Sequence, residues 1–124
     1  MIQLDIGDHR PLYEQIRDKL KSMIIEGFLA ENEKIPSVRE MAAILAINPN
    51  TIQKAYRELE NDGYIYSVKA KGFFVSEIKH TGDLGKIAEL YDETMPLIKE
   101  LKFLGVKKEK LFRMIENIYE EDEV

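Results

Sequence analysis

The chain has 124 residues, 44% of them hydrophobic, and a formal net charge of −5, a length that suits one compact domain or a small domain with an appendage. It contains no cysteine, which excludes disulfides and thiolate metal sites, and no apolar run approaches the ~18 residues that would suggest a membrane span. No segment has the make-up of a secretory signal, so a cytoplasmic location is expected, and His9 and His80 sit in loop-like contexts that do not suggest a metal site.

At the N-terminus Ile2, Leu4 and Ile6 alternate with polar residues and predict a short edge strand before a turn at Gly7 to Arg10. Pro11 then opens a helix with Leu12, Ile16, Leu20, Met23 and Ile24 on one stripe, closed by Gly27 as a left-handed cap. The connection from Phe28 to Ile35 should run over the surface, with Phe28, Leu29 and Ile35 turned inward.

The stretch IPSVREMAAILAINPNT, residues 35 to 51, predicts a helix, a tight turn and a second helix. Ser37 and Glu40 have capping-box spacing, and Val38, Met41, Ala42 and Leu45 repeat at helical intervals. Asn48 can cap the next helix, and Pro49 fits its first position, where a missing N–H costs nothing. Ile52, Ala55, Tyr56 and Leu59 form its inward stripe; Asn50, Thr51, Gln53, Lys54 and Arg57 are left facing out, where they could meet bases and phosphates. Asp62-Gly63 stops the helix, and two β-prone runs, Tyr64 to Val68 and Gly72 to Ser76, flank Lys69-Ala70-Lys71 as a hairpin with a basic tip.

From Pro11 to Glu77 the blocks PLYEQI, IPSVRE, NPNTIQKAYRELENDGYIY and KGFFV resemble, in order and spacing, the winged helix-turn-helix domain of GntR-superfamily transcription regulators. The NPNT-QKAYREL block is similar to the YtrA-type branch. The resemblance implies contact with a double-stranded DNA operator through Arg39 and residues 49 to 53, although Pro49 and Gln53 replace arginines of some relatives, so no base preference transfers. It also marks two departures: Ala46 and Ala70 stand where the family usually has glycine, and alanine resists the positive φ that glycine adopts freely.

After Thr81 the pattern is helical again, with Leu84, Ile87, Ala88, Tyr91, Met95, Ile98 and Leu101 near the 3.5-residue period and Leu104-Gly105 as the end. Pro96 predicts a kink or break near Asp92 to Met95. A last helix from about Lys107 to Tyr119 should turn Leu111, Met114, Ile115 and Ile118 inward, and Glu120 to Glu123 form a solvated charge run. Two such helices hide only part of their apolar surface. A second subunit is the expected cover, as the resemblance to the YtrA-type plan also implies.

The expected architecture is therefore mainly α with a small β wing: a DNA-binding domain over residues 1–77 and a two-helix dimerisation segment over 78–124. Charge agrees with this division. Residues 77 to 124 carry eight Lys/Arg against twelve Asp/Glu, while residues 1 to 76 carry ten against eleven, so the acidity is mostly C-terminal. The expected DNA contacts are Arg39, Asn50, Thr51, Gln53, Lys54, Arg57, Lys69 and Lys71; the expected dimer seam uses Leu84, Ile87, Tyr91, Ile98, Leu101, Leu111, Ile115 and Ile118. No phosphate loop, nucleophile elbow or catalytic His–acid pair is present, so no enzymatic activity, cofactor or metal is expected. The 47 residues after Glu77 cannot hold the aminotransferase-like domain of some relatives, which argues against a pyridoxal phosphate role. The expected function is that of a homodimeric repressor at an inverted-repeat operator, with a small-molecule effector left open. The competing reading is a winged-helix protein-interaction module that has lost DNA affinity.

Overall fold

A computed structural model describes residue 4, residues 7–77 and residues 84–121, with the Leu84 side chain excluded. It divides into two compact units, Met1–Asp83 and Leu84–Val124. The first holds α1 (Leu12–Ile25), α2 (Val38–Leu45), α3 (Pro49–Asn61), β1 (Ile65–Val68) and β2 (Gly72–Val75); the second holds α4 (Leu84–Phe103) and α5 (Lys108–Glu121). The edge strand expected from Ile2, Leu4 and Ile6 lies outside the described residues except for Leu4, which packs against the core.

The local signals of the helix pair act as the sequence predicts. Ser37 Oγ accepts the Glu40 N–H while Glu40 Oε1 accepts the Ser37 N–H, so each satisfies a donor that the first turn of α2 would otherwise leave open. Asn48 Oδ1 accepts the Asn50 N–H at 2.8 Å, and Pro49 takes the first position of α3. Between the helices Ala46 adopts φ 54°, ψ 46° and still closes the turn: its N–H and that of Ile47 bond back to Ala43 and Ala42 carbonyls. This residue occupies a left-handed well that its Cβ disfavours.

Ile52, Ala55, Tyr56 and Leu59 turn one face of α3 fully inward against Ile16 and Leu20 of α1, Met41 and Ala42 of α2, and Ile65 and Val75 of the hairpin. Tyr56 is core, as expected. Its hydroxyl donates to the Pro36 carbonyl at 2.8 Å, its ring meets Phe73 edge-on, and burial pushes the phenol above its ordinary pKa.

β1 and β2 pair antiparallel from Ile65↔Val75 to Val68↔Gly72. The connection after α1 adds to the outer edge of β2, with Ile35 N–H donating to Phe73 O, Val75 N–H to Glu33 O and Asn32 N–H to Val75 O. Asn32 also accepts the Tyr66 hydroxyl at 2.7 Å and donates to Glu77, which ties this connection to the hairpin through side chains. At the tip Lys71 N–H bonds to Val68 O, and Ala70 takes φ 66°. Alanine thus does occupy the left-handed position here, in the place a type II turn reserves for glycine. Alanine bears the same conformational cost here as at Ala46, and tip closure outweighs it.

Four expectations are corrected. Leu12, the first residue of α1, and Phe28, in the connection after it, are exposed, at 46% and 72%. Leu29 is partly buried and Ile35 fully so, as predicted. α4 runs unbroken through Pro96, which overturns the break but not the kink expected there, since losing one backbone donor does not end a helix supported by turns on both sides. Its end is a glycine cap, with Gly105 at φ 91° and Val106 N–H reaching Leu101 O. Finally, Met114, Ile115 and Ile118 of α5 are exposed rather than inward, and Leu111 is only partly buried. On α4, Ile87, Tyr91, Met95 and Ile98 are likewise exposed and Leu101 partly so. Within one chain these two helices do not cover each other's apolar faces.

Because Ala46 is exposed and held in the left-handed region, Ala46→Gly should raise stability by roughly 0.5–1 kcal/mol, the relief of φ strain outweighing the added freedom of the unfolded chain. Urea unfolding of the two proteins side by side checks this; a lower midpoint for the glycine variant would contradict it.

Candidate nucleic-acid interface

Asn50, Gln53, Lys54 and Arg57 recur at intervals of three and four along α3, and all four are exposed on the face opposite Ile52, Ala55, Tyr56 and Leu59. Thr51 is half-buried beside them. Asn50, Thr51 and Lys54 share a shallow open depression of about 400 Å³ with Pro11, Leu12 and Tyr13 from the start of α1. Arg39 is exposed in the first turn of α2, and Lys69 and Lys71 are exposed on either side of Ala70 at the hairpin tip.

Charge pairing separates the cations of this unit into two groups. Arg17 on α1 donates to Glu58 on α3 at 2.6 Å and to Asp18 at 2.9 Å, and Arg10 bonds to Asp18 at 2.7 Å and Asp8 at 2.8 Å. The hydrogen bond to Asp18 offsets the desolvation of Arg17, which with Glu58 keeps that guanidinium above its ordinary pKa. These arginines are committed to holding α1 against α3 and the preceding segment. Glu60 is committed too: it accepts both the backbone N–H and the hydroxyl of Ser67, fastening the hairpin to the end of the helix. By contrast, among the described residues no ion pair engages Arg39, Arg57, Lys69 or Lys71, and Lys54 lies over the Tyr13 ring, 3.9 Å from its centroid, without a carboxylate. Glu58 and Glu60 at the end of α3 are thus used within the fold, and cations without an ion pair among the described residues lie on the outer face of α3, in α2 and at the hairpin tip, as well as at Lys19 and Lys21 of α1 and at Lys34.

Tyr13 and Leu12 are what sequence reasoning missed at this site. Leu12 fits the apolar period of α1, which placed it inward, and nothing in a single sequence relates Tyr13 to Lys54, 41 positions away. No group of His, Asp and Glu among the described residues could hold a metal ion. Nor is any described helix long and apolar enough to cross a membrane.

The profile of bacterial regulatory proteins of the gntR family matches residues 12–75, which span α1 through β2. The chain belongs to the GntR family. It is a DNA-binding transcription regulator, not an enzyme. Over 119 residues it is 40% identical to the HTH-type transcriptional repressor YtrA of Bacillus subtilis (strain 168), covering 95% of this chain and 92% of that protein, which puts it in the YtrA-type branch. A transcriptional antiterminator from Listeria monocytogenes EGD-e has a similar structure, with 36% identity and a TM-score of 0.73 over 98% of this chain and 91% of its own. AraR(DBD) in complex with operator ORR3 is similar over 60% of this chain and 92% of its own, with 32% identity and a TM-score of 0.51. In this GntR-family chain, as in the family domain it matches, the helix pair and the hairpin form one winged helix-turn-helix unit.

The arginine network makes this unit sensitive to acid. Burial acts to raise the Asp18 carboxyl, but Arg17 and then Arg10 outweigh it and hold the group below its ordinary value of 3.8. A carboxylate with a lowered folded pKa contributes stability that is complete above the unfolded value and lost as pH falls through the folded one. Stability should therefore drop as pH falls below 3.8, and Asp18→Asn should be less stable than the parent at pH 6 yet lose less between pH 5 and pH 3. Denaturant melts of both proteins across that range provide the check; equal pH slopes would remove Asp18 from the account.

Proposed function

We propose that this GntR-family protein is a cytoplasmic repressor that binds an inverted-repeat operator as a homodimer. Residues 1–77 are its reading head and residues 78–124 its dimerisation segment. The observation that carries the proposal is the outer face of α3, where Asn50, Gln53, Lys54 and Arg57 stand clear of the core with no carboxylate committed to them among the described residues. In this reading α3 enters the major groove. Asn50, Thr51 and Gln53 approach base edges, Arg39 reads a base from α2, and Lys54, Arg57, Lys69 and Lys71 hold phosphates. The relatives support it: one is named a repressor, and another is described in complex with its operator.

The dimer seam is proposed along α4 and α5, through Leu84, Ile87, Tyr91, Ile98 and Leu101 with Leu111, Ile115 and Ile118. Exposed apolar side chains in this number, on two helices that do not cover one another, call for a partner, and a second copy supplies the matching surface. Effector sensing between these helices is the reading that replaces dimerisation if the seam proves to lie elsewhere. The protein-interaction alternative draws on the acidic balance of the chain and on Ala70, and binding to random duplex at low salt separates it from the operator-binding reading.

Selection from a random DNA pool should recover an inverted repeat whose half-sites lie about 34–36 Å apart, one helical turn. An asymmetric consensus, or no enrichment, would overturn the proposal. On the selected duplex Arg39→Ala should cost roughly 1–3 kcal/mol and relax one position per half-site, whereas Lys71→Ala should weaken all sequences alike and lower the salt slope by about one per subunit.

Ile115 is half-exposed, so Ile115→Asp leaves the single chain intact and places a charge in the proposed seam. Light scattering should show a shift towards monomer, with at least ~10²-fold weaker binding to the full operator as the gain from effective concentration is lost. A variant that remains dimeric with normal operator affinity would place the seam elsewhere.

A further inference from the structure

Two unpaired lysines lie over aromatic rings, Lys21 over Tyr64 at 5.6 Å and Lys54 over Tyr13, and of the two only Lys54 is among the proposed DNA contacts. Its ammonium lies 3.9 Å from the centre of the Tyr13 ring, across the contact between α1 and α3. Tyr13 is itself anchored: it packs against the core, and its hydroxyl donates to Glu14. A lysine can be fixed by a carboxylate or by an aromatic face, and the consequences differ. A carboxylate cancels the charge, as Asp18 and Glu58 do for Arg17. An aromatic face attracts the cation through its quadrupole but carries no net charge, so the full positive charge remains for a phosphate. A free lysine on a helix surface also loses up to ~2 kcal/mol of rotamer freedom when it is immobilised.

From this juxtaposition we infer that Tyr13 is a positioning residue for DNA binding: its ring pre-orders Lys54 at the N-terminal part of the recognition helix while leaving the lysine's charge available to the sugar–phosphate backbone. The inference rests on the proposed phosphate contact of Lys54. The surroundings suit the same ligand. Pro11, Leu12 and Tyr13 give the depression apolar lining that suits a deoxyribose, and Lys54, Asn50 and Thr51 give it polar lining that suits the adjoining phosphate. The contact is sequence-independent, so Tyr13 sets affinity and register rather than base preference.

The test uses the full chain and the duplex recovered by selection with the parent protein. Tyr13→Leu should weaken binding roughly two- to five-fold per head, the worth of one exposed cation–π contact, with the salt slope unchanged because Lys54 still reaches its phosphate. Lys54→Ala should weaken binding and also reduce the slope by about one per subunit. In the Lys54→Ala background Tyr13→Leu should have no further effect, and Tyr13→Phe should bind like the parent. A purely structural role for Tyr13 would show as additive losses in the double variant, which would overturn the inference. Tighter binding by Tyr13→Leu would do so as well, because the ring would then be withholding Lys54 from DNA. Should Tyr13→Leu fail to fold, phenylalanines carrying one, two or three ring fluorines at position 13 keep the shape and weaken the quadrupole stepwise; affinity should fall in step, and a flat series would reject the idea. If Lys54→Ala binds like the parent, the proposed phosphate contact fails, an outcome distinct from the loss of coupling alone.

Discussion

The winged head depends on the burial of one face of α3 around Tyr56. That side chain has no exposure, and its hydroxyl crosses to the Pro36 carbonyl just ahead of the cap that starts α2. One residue therefore sets the spacing of three things: α3 against α1, α3 against the start of α2, and, through the edge-on contact with Phe73, α3 against the hairpin. A buried phenol without a partner would cost about 1–3 kcal/mol, so the hydrogen bond favours this packing over nearby alternatives. Every contact proposed for the opposite face of α3 inherits its position from this arrangement.

The same economy explains how a chain with a net charge of −5 can bind a polyanion. Net charge matters less than which charges are already paired. Glu58 is ion-paired with Arg17, and Glu60, which keeps its charge, is turned toward Ser67; these bonds clamp α3 to α1 and to the hairpin. Folding thus turns Glu58 and Glu60 toward the fold and leaves Lys54 and Arg57 on the outer face of α3, Arg39 on α2 and the wing-tip lysines without ion pairs among the described residues. Field strength at short range follows that local imbalance, since charges more than about 10 Å apart are largely screened at 0.1 M salt.

Much of this was legible from residues alone, for identifiable reasons. Capping signals are local: Ser37 with Glu40, Asn48 with Pro49 and Gly105 each specify a helix end through a bond spanning a few residues. The inward stripe of α3 was equally plain, because a 3.6-residue period repeated over three turns leaves little ambiguity. What failed depended on contacts distant in sequence. Leu12 and Phe28 obey the apolar pattern but are exposed, and the partners of Glu58 and Lys54 lie 41 positions away. The break expected at Pro96 is absent for another reason: removing one donor penalises a helix, but twenty residues of helix absorb the loss without ending. Ala46 and Ala70 show the converse, with local preference yielding to turn closure.

The C-terminal unit raises a different question: why a regulator would keep two helices whose apolar residues remain exposed in the single chain. Met114, Ile115 and Ile118 recur at helical spacing on α5, and Ile87, Tyr91 and Ile98 do so on α4, so the exposure is ordered into stripes rather than scattered. Scattered exposed hydrophobes are normal on any protein, whereas contiguous stripes are costly in water and mark a surface meant to be covered. In the proposed dimer, the gain from covering it with a second copy exceeds the burial itself. A single head offers only a few base contacts, and joining two makes the second half-site encounter intramolecular, which multiplies affinity without any new residue touching DNA. A segment of about forty residues can supply that linkage in the proposed dimer, and anything that altered the packing of α4 and α5 would then reach the operator through the spacing of the two heads.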